Sequence, residues 1–380
     1  MPVGPGRNND RMIRWVLGVA AVLFMCLLGL LFVGYLVLQL GVGAVLGGMV
    51  LATLPVPLYV ALALWIDRFE KEPIWMLAGA FLWGATVAVF FSLIFNTINS
   101  SIVGSTLGGS AGQVFGPVFS APLVEESAKG LALLILFFWK KDEFDDVIDG
   151  IVYAAMVGLG FAMGENILYY GRELLAGGIV GSLSLFVLRG MLAPFSHPLF
   201  TSMTGIGLGL ARQSNRGWVK IVAPVLGFLG AMFLHFLWNL SGTIGGNAGF
   251  FGTYFLFMVP TFIGLLVFVG FALRREGRIV RTYLTPELQS GLLTREDYEL
   301  LGSVRGRLVT SFRSLQGGIA NWHARSRFGQ AATELAFLRE RVARGITSPR
   351  DPEREAAYVR IMRDLGRRPG SGHEQAARAE

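Results

Sequence analysis

Two glutamates stand side by side in the stretch APLVEESAKG, Glu125 and Glu126, with Lys129 one turn on. The chain is apolar for about a dozen residues on either side. Further on, other apolar stretches carry isolated polar groups: Asp149, Glu165 and Asn166, then Arg189 and His197, then His235 and Asn239. Ionisable groups in such surroundings are costly and point to function by default. A carboxylate there can take a proton from water as a general base. Imidazoles can bind a metal that polarises a carbonyl, or stabilise the oxyanion themselves. An asparagine can donate a hydrogen bond to the same oxyanion. A catalytic zinc takes three protein ligands and leaves one position open. His197, His235 and one of the glutamates, Glu165 among them, could supply the three. The other two of the four histidines, His323 and His373, lie in a basic C-terminal segment and read as surface residues.

Spacing adds detail. His235 and Asn239 are four apart and share a helix face, as do Glu125 and Lys129. A simple ion pair of Glu125 with Lys129 leaves Glu126, about 100° away, without a partner. Such a carboxylate must be protonated or bound to a histidine, a metal or water. Several hydrolase signatures are absent from the sequence: H-E-x-x-H, a mid-membrane aspartate pair and a G-x-S-x-G elbow. P-loop and Rossmann glycine patterns are absent too.

The elements that must hold these groups are membrane helices. Of the 380 residues 53% are hydrophobic and only 16% charged, against about a quarter charged in a soluble domain. The apolar residues come in runs of the roughly 20 residues that cross a bilayer. We read eight spans, roughly 13–36, 43–66, 74–97, 116–139, 147–170, 187–211, 218–240 and 251–273. Pro55 and Pro57 kink the second. The first run is too long for a signal peptide, and the lone Cys26 inside it reads as a packed hydrophobe. Lys and Arg in short loops set orientation. Fourteen fall on one side and only Arg172 on the other, which puts both termini in the cytoplasm. At about 1.5 Å per residue, Glu125, Glu165, His197 and His235 then fall in one layer of the outer half-membrane.

PLVEESAKG, GFAMGENILYY, FSHPLFTSMTGIGLG and LHFLWN follow in that order on successive spans. Together they resemble the PrsW family of intramembrane proteases. The acidic, proline-ended DRFEKEP, Asp67 to Pro73, fits that family's loop before the third span. The resemblance covers about residues 45–275. It implies that Glu125 and Glu126 are the catalytic pair, completed by Glu165, His197, His235 and Asn239. It also implies an endopeptidase that cuts a membrane-anchored protein, such as an anti-sigma factor, on its outer side. That family is described as metalloprotease-like, and relatives in its wider clan of prenyl endopeptidases as metal-free glutamate enzymes; both remain open here.

The expected architecture is an all-α polytopic bundle of about eight transmembrane helices with a cytoplasmic helical tail. Residues 1–12 form a cytoplasmic N-terminus, 13–273 the membrane domain and 274–380 the tail. All of the net +7 charge sits in residues 274–380. Such a tail suits anionic headgroups, and no nucleic-acid motif accompanies it. The expected partners are the lipid bilayer and a membrane-anchored substrate, in a plasma membrane. Residues 284–301 read as two short helices around a Gly break, and 330–345 and 353–366 as amphipathic helices ending at Gly. The last residues, RRPGSGHEQAARAE, read as disordered. The rival function is a proton-coupled transporter using the same Glu and His groups.

Overall fold

The fold comes from a computed structural model that describes residues 5–141 and 143–366. Every regular element among them is helical. Lipid offers no partner for a free N–H or C=O, so an apolar run must satisfy its backbone internally, as a helix does. Seven helices among the described residues are long and apolar enough to cross a membrane. They are α1 (Pro5–Leu40, apolar from Trp15), α2 (Val42–Ile66), α3 (Ile74–Leu107), α5 (Val147–Ala176), α6 (Gly178–Gln213), α7 (Gly217–Ile244) and α8 (Gly246–Tyr283). Residues 109–139 form α4, the remaining expected span. It has the length, but Glu125, Glu126 and Lys129 lower its apolarity. The chain breaks at Leu54 and Pro55 within α2, where the two prolines forecast a kink.

The helices are unequally enclosed. The apolar window of α5 is 83% buried, and that of α2 only 11%. The reason lies in the small residues of α5. A Cβ on Gly150 would come within 2.2 Å of the Gly205 carbonyl oxygen, and one on Gly158 within 2.8 Å of the His197 carbonyl carbon. Glycine therefore lets α6 press its backbone onto α5 just where His197 leaves it. The first turn of α5 is closed by a reciprocal cap: the Asp146 side chain accepts from the amides of Ile148 and Asp149, and Asp149 accepts from the Asp146 amide. Asp149 is thus a helix-end residue engaged in the cap. Cys26 is exposed on α1 rather than packed, because it lies off the stripe of Met25, Leu28 and Phe32 that faces the core.

Four stretches among the described residues are wound as wide π turns, Trp83–Ala88, Gly116–Ser120, Val187–Leu192 and Tyr254–Met258, in α3, α4, α6 and α8. Such turns recur at functional sites because they redirect side chains. After the third, α6 breaks at Ala193–Phe195 around Pro194 and resumes at Ser196, which leaves His197 in a first turn.

The chain divides into two compact units. One gathers the chain up to Trp65 with Glu72–Leu265; the other gathers Ile66–Lys71 with the chain from Leu266 onward. In the second, after α8 come α9 (Thr285–Gln289), α10 (Arg295–Leu301), α11 (Val304–Gln316), α12 (Ile319–Ala343) and α13 (Asp351–Gly366). The helices expected over 284–301, 330–345 and 353–366 all form. The Thr294 hydroxyl caps α10 by accepting from the Asp297 amide at 3.0 Å. Phe328, Ala332, Leu335, Ala336 and Met362 are buried between α12 and α13. Residues 367–380, read as disordered, lie outside the described residues.

Candidate active site

On α4, Glu125, Glu126 and Lys129 are all buried. Lys129 Nζ lies 2.8 Å from Glu126 Oε1 and 3.7 Å from Glu125 Oε2. It also sits 3.0 Å from His197 Nδ1 and 3.8 Å from the centre of the Phe161 ring. The simple Glu125–Lys129 pair is therefore not what forms, and Glu126 has a histidine beside it, one of the partners its position requires. Positions three apart share a helix face as positions four apart do, and Lys129 takes the nearer oxygen of Glu126. Glu126 also receives Thr201 Oγ1 at 3.1 Å, and His235 Nδ1 lies 2.9 Å from its Oε1.

The carboxylate with spare capacity is Glu125. Its Oε1 accepts from Asn96 Nδ2 at 3.2 Å. Its Oε2 is buried and has no hydrogen-bond partner; His235 Nε2 faces it at 3.7 Å. Asn96 is aimed by its other atom, since Ser120 Oγ donates to Asn96 Oδ1 at 2.8 Å. Sequence reasoning passed over Asn96. The only signal was an amide inside an apolar run, in FNTINSS.

The network selects the imidazole tautomers. An ammonium only donates, so His197 Nδ1 accepts from Lys129 and Nε2 carries the proton toward Glu165 Oε2, 3.0 Å away. His235 donates from Nδ1 to Glu126, which leaves the Nε2 lone pair facing Glu125 Oε2. The two rings meet edge to face with centroids 5.3 Å apart.

Glu165, on α5, is shared. Arg189 Nη2 donates to its Oε2 at 2.6 Å, and Arg189 Nε donates to Asn166 Oδ1 at 2.7 Å. The guanidinium lies 4.2 Å from the centre of the Tyr169 ring. An arginine near a span end ordinarily reaches for the headgroups. The wide turn at Val187–Leu192 instead sends Arg189 inward to Glu165. Asn239, on α7, donates from Nδ2 to the Pro117 carbonyl at 2.8 Å, and no hydrogen bond joins it to a glutamate or histidine of the cluster. It does share a cavity of about 660 Å³ with Glu125, Glu165, Arg189, Asn96 and Trp238.

Glu125, His197 and His235 each offer a donor atom, and these atoms lie within 4.8 Å of one another. A buried carboxylate oxygen without a hydrogen bond, opposite an imidazole lone pair, is a pair of donors in want of a cation. Glu125 Oε2 and His235 Nε2 therefore fit a divalent metal, and His197 can complete the set once Lys129 releases its Nδ1 or its Nε2 gives up the proton to Glu165. Glu165, the carboxylate named with the two histidines on sequence grounds, sits beside His197 and is held by Arg189.

Fold and site together define a polytopic helical membrane protein with a carboxylate–imidazole centre buried beside a cavity. The family model of PrsW family intramembrane metalloproteases matches residues 72–265, and the chain belongs to that family. It is 36% identical over 163 residues to a Protease PrsW of Geobacillus kaustophilus, covering 42% of this chain and 66% of that relative. It is 30% identical over 206 residues to a Protease PrsW of Oceanobacillus iheyensis, covering 54% of this chain and 84% of that one. A Protease PrsW of Bacillus subtilis is 34% identical over 148 residues, 39% of this chain and 61% of the relative. No solved structure matches the chain.

Proposed function

We propose that this chain hydrolyses a peptide bond of a membrane-anchored protein near the extracytoplasmic face, with Glu125 as the group that meets the attacking water. The observation that carries this is the buried Glu125 Oε2, free of hydrogen bonds and bordering the 660 Å³ cavity. Glu126 holds its place by accepting from Lys129, Thr201 and His235, and its charge is spent on them. Glu125 takes one proton from water as the water oxygen attacks the carbonyl carbon. The C–N bond then breaks, and the same proton passes to the departing amine. Arg189 and Asn239 border the cavity with N–H groups that can meet the carbonyl oxygen as it gains charge. A zinc ion held by His197, His235 and Glu125 would supply Lewis-acid polarisation and a more acidic water. With the ion in place Glu125 is a ligand, and Glu165, which also borders the cavity, is the carboxylate left to take the proton.

The extracytoplasmic placement rests on the Lys and Arg bias of the loops, which also puts both termini in the cytoplasm of a plasma-membrane protein. The membrane domain would be residues 13–273, with a 1–12 N-terminus and a 274–380 tail on the cytoplasmic side. An anti-sigma-factor-like substrate follows from the family resemblance.

Two measurements test the reading. New N-termini of membrane proteins should be found in cells making the wild-type chain and be missing with Glu125→Gln. Identical sets of termini would sink the protease reading and leave proton transport, measurable as flux in proteoliposomes. Zinc content by mass spectrometry then separates the two roles of Glu125. About one equivalent, lost in the His197→Ala, His235→Ala double variant, makes it a ligand; none makes it the base.

A further inference from the structure

The tail carries a helix whose inner face is fastened and whose outer face is bare. Ser303 caps α11 by accepting from the Gly306 amide at 2.9 Å. Arg307 pins the helix inward: its Nη1 donates to the Arg68 carbonyl at 3.0 Å, its Nε donates to the Leu301 carbonyl at 3.0 Å, and its guanidinium lies 4.4 Å from the centre of the Phe69 ring. Arg68 answers by donating to the Val304 carbonyl at 3.4 Å. On the other side Leu308, Phe312 and Leu315 are 48%, 68% and 52% exposed, and Ile319, opening α12 after Gly317 and Gly318, is 69% exposed. Spacings of four and three residues keep Leu308, Phe312 and Leu315 on one stripe of α11, and Ile319 adds an exposed apolar side chain just past its end.

The segment around the stripe carries charge of one sign, and from outside it Glu296 of α10 reaches Arg313 in an exposed pair at 3.3 Å. From Leu300 to Thr333 the chain carries Arg305, Arg307, Arg313, Arg325, Arg327 and His323, and no Asp or Glu at all. Arg305 and Arg313 are exposed beside the apolar residues. Large apolar side chains on an otherwise cationic helix suit the boundary between headgroups and acyl chains, where both are satisfied at once. Location agrees. Arg68 and Phe69, which hold α11, follow within three residues of Ile66, the last residue of the membrane-length helix α2. The N-terminal end of α11 is therefore fastened to a segment that has just left the bilayer.

We propose that α11 is an interfacial helix: Leu308, Phe312, Leu315 and Ile319 insert among the lipids of an anionic membrane surface while Arg305 and Arg313 meet the headgroup phosphates. A second copy of the chain is a poorer occupant, because it would bring the same positive charges to the contact. The proposal does not depend on the protease reading; it concerns how the tail is held.

The test uses the full-length protein in nanodiscs. Exposed Cys26 is first removed by Cys26→Ala. A polarity-sensitive fluorophore is then attached through Phe312→Cys and, in a separate variant, through Glu353→Cys, an exposed control position on α13. With phosphatidylglycerol in the disc, the label at 312 should shift to the blue and be quenched several-fold more than that at 353 by a nitroxide lipid near the headgroup. Quenching should fall in discs of phosphatidylcholine alone. Equal quenching at the two positions overturns the proposal. Equal quenching at 312 in both lipids overturns the anionic requirement. Protection seen only in discs holding two protomers would assign the stripe to a second copy instead. Leu308→Cys repeats the measurement one turn away, so that a local defect at 312 cannot decide it.

Discussion

The buried ion cluster of the membrane unit and the ion pairs of the tail use the same groups at similar distances. Lys129 and Glu126 meet at 2.8 Å with both side chains inaccessible to solvent. Arg295 and Glu299 meet at 3.2 Å with side chains 87% and 64% exposed. Separation does not rank these pairs. What ranks them is what remains when one partner is taken away. In the tail the orphaned charge returns to water, and such pairs contribute roughly 0.2–1 kcal/mol. Inside the membrane unit it stays buried, and breaking a pair costs about 3–5 kcal/mol. The cluster is thus fragile in proportion to its burial, which a stability device alone would not require.

The largest effect should come from Lys129→Met, which keeps the volume and deletes the charge. Glu126 would keep only His235 and Thr201, and His197 Nδ1 would lose its donor. We expect a loss of about 3–5 kcal/mol, read as a fall in the unfolding temperature of the purified protein in detergent, together with loss of cleavage. A variant within about 0.5 kcal/mol of wild type would break the comparison, because Lys129 would then be no more costly to remove than an exposed residue.

Within the cluster the comparison sharpens to two adjacent carboxylates. Glu126→Gln should destabilise by about 1.5–3 kcal/mol, the range for hydrogen bonds to a charged group. Glu125→Gln should cost less than about 1 kcal/mol, since its amide oxygen can still accept from Asn96, the oxygen replaced has no hydrogen bond, and Lys129 is only at 3.7 Å. Activity should run the other way. Glu125→Gln should slow cleavage by about 10²–10⁴-fold in a folded protein, the range for losing a general base. Equal stability losses in the two variants would remove the distinction between a positioning carboxylate and a reacting one.

That distinction marks the limit of what the sequence could say. Membrane helices were readable because lipid permits little else, and depth was readable because rise per residue is constant. Glu125, Glu165, His197 and His235 accordingly come together as their depths imply. Rotation about each axis was not readable to the same precision. It decides that Glu126, rather than Glu125, takes the nearer contact with Lys129 and the hydrogen bond with His235, and it brings Asn96 to Glu125. Arg189 turns inward for a local reason. Near a span end an arginine ordinarily reaches outward, but the wide turn and the break at Pro194 alter the direction of α6 just there. In the tail, Gly breaks marked α9, α10 and the ends of α12 and α13, whereas α11 and the start of α12 went unread and the ion pairs joining the helices depend on packing between segments far apart in sequence.

Two substitutions in the tail complete the scale. Arg339 donates from Nη1 and Nη2 to the two oxygens of Glu287 at 2.7 and 2.8 Å, and from Nε to Glu355 at 2.8 Å. Hydrogen bonding from Glu287 holds this guanidinium above its ordinary pKa, although partial burial opposes it. Glu287 is itself buried. Arg339→Ala should therefore cost about 1–2 kcal/mol, above the surface range and below the membrane cluster. Arg295→Ala removes a pair of similar length from open solvent and should change stability by less than about 0.5 kcal/mol. Salt separates the two further. Raising ionic strength to about 1 M shortens the screening length to about 3 Å. It should erase the Arg295 effect and leave most of the Arg339 effect, because the latter pair is sheltered by α9 and α12. If both losses shrink in parallel with salt, burial is not what orders these pairs, and the ranking that places Lys129 first loses its physical basis.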